Sequence, residues 1–299
     1  MPELEQAPVD TQSATPATGP QAATSPQAAT GRFFRRFTRE QRYLHAVLFT
    51  TFLGLAGTGL PLRFSESIWA RGMASAVGGF GAILFLHKFC ALALSIAFLI
   101  HVKEIFTRGL YRCEKGVFWG ATSMVGNWKD VKDLFAHLRW FLGLGPKPQF
   151  ERYAYWEKFD YWAVFWGMIV IGFSGYAMWF APFFARFLPG WALNAALVIH
   201  SEEGLLAILF IFSIHFVNTH LRPDSFPMDM VIFTGVESEK EFQHKRPQEY
   251  ARMVREGKLE QRLGEAPATW FVNFSRLVGF IAIFIGLTLL VLTLTAYFD

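Results

Sequence analysis

The stretch FGAILFLHKFCALALSIAFLIHV, residues 80–102, decides the fold. A bilayer's hydrocarbon core takes about 20 apolar residues of helix to cross. This run is that long, and it carries one histidine near its start, His87, and one near its end, His101. Four further apolar runs lie on either side of it: Leu44–Leu62, Tyr161–Ala181, Leu193–Thr219 and Leu277–Phe298. The composition agrees with five membrane spans. Hydrophobic residues make up 53% of the 299 and charged residues 17%, against about 25% charged in soluble domains. A soluble enzyme, a coiled coil and a disordered chain are excluded on that ground.

Residues 1–31 are rich in Ala, Thr, Gln and Pro and have no apolar period. They read as a disordered tail, because they cannot bury enough surface to offset the entropy of ordering. Their lack of a short apolar core also argues against a signal peptide. Residues 32–235 hold the first four spans, residues 236–269 read as a linker, and residues 270–299 hold the fifth span. The fifth lacks histidine and reads as an added anchor. Between spans two and three, Trp128, Val131, Leu134, Phe135, Leu138, Phe141 and Leu142 recur at helical spacing. They predict a helix near 127–142 lying on the membrane surface. The fold expected is all-α: a transmembrane four-helix bundle plus a fifth C-terminal transmembrane helix. Two cysteines, Cys90 and Cys113, cannot build a disulfide framework or a Cys-rich zinc or iron–sulfur site. No Cys-x-x-Cys-His run attaches a c-type haem.

Lys and Arg set the expected orientation. The segments before span one, between spans two and three, and between spans four and five hold 24 of them, and the other two loops hold three. The N-terminus is expected in the cytoplasm and the C-terminus outside, in a multi-pass protein of a bacterial inner membrane.

The histidines carry the chemistry. His137 and His244 lie in charged stretches and read as surface residues. His45, His87, His101, His200, His215 and His220 lie in or at the ends of spans, where an ionisable side chain is a functional hypothesis by default. His87 and His101 are 14 residues apart on span two, within about 40° of one face of a helix. His200 and His215 are 15 apart on span four, within about 60°. Both spans run from outside to inside, so the two pairs match in depth. Two imidazoles facing each other at one depth can hold a haem iron axially, and two such pairs would stack two haems across the bilayer. His45 opens span one at the inner level, so His45, His101, His215 and His220 share that level. That surplus permits a different axial pairing, a third haem, or a quinone-binding histidine. The competing class is a histidine-bearing membrane metal or substrate transporter without haem.

Arg42-Tyr-Leu-His45, Leu86-His87 and Leu197-Val-Ile-His200 with Gly204 occur in order, with Phe165 to Trp179 filling the span between. Over roughly residues 35–235 the chain resembles the cytochrome b (gamma) subunit of membrane-bound formate dehydrogenase and its relatives among hydrogenase b-type cytochromes. The resemblance implies a four-helix bundle with two b haems, carrying electrons between a quinone pool and a redox subunit docked outside. That subunit would bear iron–sulfur clusters or c-type haem. Carried onto this sequence, the family pattern pairs His87 with His200 for the external haem and His45 with His215 for the inner one. His101 departs from that pattern. The stretch from His87 to His101 resembles span two of the cytochrome b of bc-type complexes, which would pair His101 with His215. A third haem between His45 and His220 would use every histidine.

Arg42, Arg222 and Lys88 are candidate partners for haem propionates, with Arg favoured for its two-pronged hydrogen bonding. Gly204, four residues past His200, would let a porphyrin lie against bare backbone. Glu202 and Glu203 mark the outer edge of span four. His220, Arg222 and Asp224, with His45 or His101, form the candidate quinone site. Nucleic acid is not expected as a partner.

Overall fold

Five helices are long and apolar enough to cross a membrane: Arg39–Arg63, Phe80–Tyr111, Tyr155–Trp179, Gly190–Leu221 and Thr269–Thr295. They belong to a computed structural model that describes residues 31–297. The expected N-terminal tail, apart from Gly31, lies outside the described residues. Span one begins before its apolar run because Thr38 and Gln41 cap it reciprocally, at 3.3 and 3.0 Å. Spans two and four end in π-helical turns, at Thr107–Tyr111, Ile211–His215 and Val217–Leu221. A helix not anticipated, Ile68–Val77, fills the loop between spans one and two. Gly78, at φ 106°, ends it in the left-handed conformation that glycine adopts without strain.

Span one packs along span two, and span three along span four. Between these two pairs contact is sparse, and one of the few bonds is Tyr176 Oη donating to Ser95 Oγ at 3.0 Å. Span five closes on span one and the π-helical end of span four. Its Leu289 joins Ala56, Leu60, Leu205, Phe212 and Phe216 in one buried cluster. The fifth span is therefore packed into the bundle, closer than an added anchor requires. A Cβ at Gly286 would lie 2.7 Å from Phe212 Cδ1 and 2.8 Å from Phe216 Cε2, so only glycine lets this crossing close. Gly286→Leu is expected to cost about 1–3 kcal/mol by overpacking. Thermal unfolding in detergent should show a lower Tm, and an unchanged Tm would contradict this packing.

The segment read as a linker is folded. Strand β1, Phe33–Arg35, pairs antiparallel with β2, Val236–Ser238, on one edge and with β3, Leu263–Gly264, on the other. Two short helices, Glu239–Lys245 and Pro247–Arg255, complete this cap. Phe34, Phe242, Met253 and Leu259 form its core. Beside it lies a buried ionic lattice. Glu249 receives Arg36 Nη1 at 3.4 Å and Arg152 Nη1 at 3.2 Å. Arg246 reaches Glu237 at 2.7 Å and Glu157 at 3.4 Å.

The surface helix spans Trp128–Phe141, capped by Asn127 and Asp130. Its Trp128, Phe135, Leu138 and Phe141 are exposed as a lipid-facing stripe would be. His137 corrects the sequence reading: it is buried, at 6% exposure. Its ring stacks on Phe141 at 4.6 Å and its Nδ1 lies 3.2 Å from Tyr155 Oη. Burial, then the nearby Arg222 and Lys147, hold its pKa below the ordinary histidine value. His244 is exposed, as expected.

Candidate functional site

The gap between the two helix pairs forms a partly open cavity of about 1430 Å³, more than the roughly 300–1,000 Å³ of one small-molecule pocket. His45, His87, His200, His215, His220 and His244 all line it.

At the end away from the cap, His87 faces His200 with ring centroids 6.1 Å apart and planes 77° apart. The chain fixes both rings. Thr58 Oγ1 donates to the Gly54 carbonyl at 2.6 Å. Its lone pairs are then free to accept from His87 Nδ1, 3.0 Å away. His200 Nδ1 lies 2.9 Å from the Ile171 carbonyl oxygen, which can only accept. Each ring is therefore held as the tautomer with its proton on Nδ1 and a lone pair on Nε2, the form that ligates a metal. Two metal–nitrogen bonds of about 2.0–2.1 Å, plus half a ring on each side, space two centroids by about 6–6.5 Å. The observed separation fits one metal centre between the rings.

Glycines shape this end. A Cβ at Gly59 would lie 3.2 Å from His87 Cε1, and one at Gly175 would lie 2.8 Å from His200 Cε1. Gly204 faces open space on the cavity wall, where a flat group can meet bare backbone. Lys88 also lines the cavity, with Nζ 5.2 Å from the Trp179 ring centroid. At the rim, Arg63 binds Ser201 and, at 2.8 Å, Glu202.

At the cap end, His45 packs against Phe49 and lies within electrostatic range of His215 and His220. His215 Nδ1 lies 3.2 Å from Asp160 Oδ2. The other oxygen, Asp160 Oδ1, is buried without a hydrogen-bond partner, and so is His220 Nδ1. His101 does not line the cavity. Its Nε2 lies 3.1 Å from Tyr161 Oη, and Tyr161 is itself part of the wall. The structure thus brings His45 into the cavity with His215 and leaves His101 behind Tyr161. His215 closes a π-helical turn at Ile211–His215. Such turns recur at functional sites.

Arg222 lines the cavity, stacks over Trp156 at 4.5 Å and meets Asp224 at 3.3 Å. Lys147 reaches the same Asp224 oxygen at 2.9 Å, and His244 its other oxygen at 3.5 Å. The Lys147 hydrogen bond, against some burial, holds the Asp224 carboxyl below the usual carboxylate range. Arg42 stands outside the cavity: its Nε donates to the Phe233 carbonyl at 2.7 Å and its guanidinium lies over Phe271. It ties span one to the start of span five.

Thr58, Asp160, Tyr161 and Gly175 are site residues that the sequence reading did not single out. Asp160 had a usable signal, a carboxylate at the edge of an apolar run. Among the described residues no three His, Cys, Asp or Glu side chains are grouped to hold a metal ion; His87 and His200 are two facing nitrogen ligands. No protein-family model matches this chain, and no curated protein matches it at a significant level.

Proposed function

We propose that this chain is a membrane-embedded diheme b-type cytochrome, as its resemblance to the formate dehydrogenase gamma subunit implies. It would pass electrons between a quinone pool near its cytoplasmic face and a redox subunit at its external face. The observation that carries this reading is the His87–His200 pair, 6.1 Å apart across the gap between helix pairs, with both Nδ1 atoms engaged. His45 and His215, at the other end of the same cavity, are the second pair. Haem, when bound, supplies the one-electron chemistry. The chain's residues supply the rest. His87 and His200 would hold the external group, and His45 and His215 the inner one. Lys88 and Arg222 are among the cavity-lining cations available to propionates. Gly204 leaves room for a ring edge. His220, Arg222 and Asp224 at the cap end are the candidate quinone contacts. The 24-to-3 bias of Lys and Arg supports a cytoplasmic cap, a cytoplasmic N-terminus and an external C-terminus, in a bacterial inner membrane.

A pyridine haemochrome assay on the purified chain should give close to two b haems per polypeptide. A ratio near three would bring in His220 as a ligand. A folded, colourless preparation would overturn the reading and favour the transporter class.

A further inference from the structure

The histidines assigned to the two haems are held by unlike groups. The proton on His87 Nδ1 goes to the Thr58 hydroxyl, and that on His200 Nδ1 to the Ile171 carbonyl. Both acceptors are neutral. His215 Nδ1 instead lies 3.2 Å from a carboxyl oxygen, Asp160 Oδ2. Asp160 sits in span three, with its side chain only 10% exposed. A carboxylate at such a position is expensive to bury. Packing alone does not account for it, because Oδ1 remains buried without a partner.

We propose that Asp160 is a positioning residue for the inner haem: it fixes the His215 ring through Nδ1 and sets that haem's reduction potential. This rests on the cytochrome reading above. An outer carboxylate that accepts the ring N–H orients a ligating imidazole and raises its basicity. A more basic imidazole stabilises the oxidised iron more than the reduced iron, so the potential falls. Second-shell hydrogen bonding of this kind is one of the ways a protein sets a haem potential. The His87–His200 pair has neutral acceptors and receives no such contribution.

The test is a spectroscopic redox titration of the purified protein. Asp160→Asn keeps an oxygen acceptor and removes the charge. It should raise the midpoint of the haem that His215→Ala disturbs and leave unmoved the one that His87→Ala disturbs. Both haems should stay low-spin. Asp160→Glu, which restores the charge, should return the midpoint towards the native value. If Asp160→Asn does not accumulate, Asp160→Ser reads the same shift. An unmoved inner midpoint, or an equal shift of both haems, overturns this role for Asp160 while two intact low-spin haems leave the cytochrome reading standing. A chain without haem overturns both.

Discussion

If the chain is the diheme cytochrome proposed above, a His215→Ala chain is expected to purify with one low-spin b haem in place of two, and His45→Ala should do the same to the same haem. His87→Ala and His200→Ala should each remove or convert the other one. His101→Ala should leave both spectra intact. Each effect follows from placement. An axial ligand cannot be replaced by a methyl group. His101 Nε2 is instead engaged with Tyr161, outside the cavity. Optical and electron paramagnetic resonance spectra of the reduced and oxidised forms read the outcome. Conversion to high-spin iron in His101→Ala, with His45→Ala unaffected, would reverse the assignment of the inner pair. Loss of haem in both would favour three haems, with His220 as the sixth ligand.

Glu249→Gln is expected to destabilise the cap by about 3–5 kcal/mol, the cost of removing one partner from a buried ion pair. Glu249 is 1% exposed and carries Arg36 and Arg152 at once. Burial works against its charge, yet those arginines and Arg246 hold its pKa below the ordinary carboxylate value. Its contribution is therefore complete above the unfolded-state value and fades only as pH falls through the lower, folded one. Neutral buffer should show the whole effect. Arg36 already feels the strain: burial, then the nearby Arg246 and Arg152, push its pKa down to about 10. Faster proteolysis within residues 236–262 and a lower Tm are the readouts. Native protease resistance in Glu249→Gln would mean the lattice contributes little.

The spans were legible because length and apolarity identify a membrane helix with little help from its neighbours. The facing of His87 and His200 was legible from matched depth. Which of His45 and His101 shares the cavity with His215 was not, because depth alone puts both at that level; only His45 lies on the cavity wall. Asp160 was lost to a boundary. In the sequence the apolar run begins at Tyr161, while the helix begins at Tyr155, so one residue separates a loop acid from a membrane acid. The cap was illegible for another reason. Its strands are two or three residues long and join segments some two hundred residues apart, so no local period announces them. Arg42 reads as a cavity cation from its depth alone, yet a backbone carbonyl of the short helix Val231–Thr234 claims it.

The pairing of the spans also fixes an order of assembly. Spans one and two form one hairpin and spans three and four another, with the cavity between them. The first hairpin contributes His45 and His87, whereas span four contributes both His200 and His215. Neither pair exists on a nascent chain until span four, ending at Leu221, has left the ribosome and entered the bilayer. Any group clamped between the hairpins is acquired late in biogenesis, and a ribosome stalled before residue 190 displays a hairpin with half of each clamp and nothing to close it.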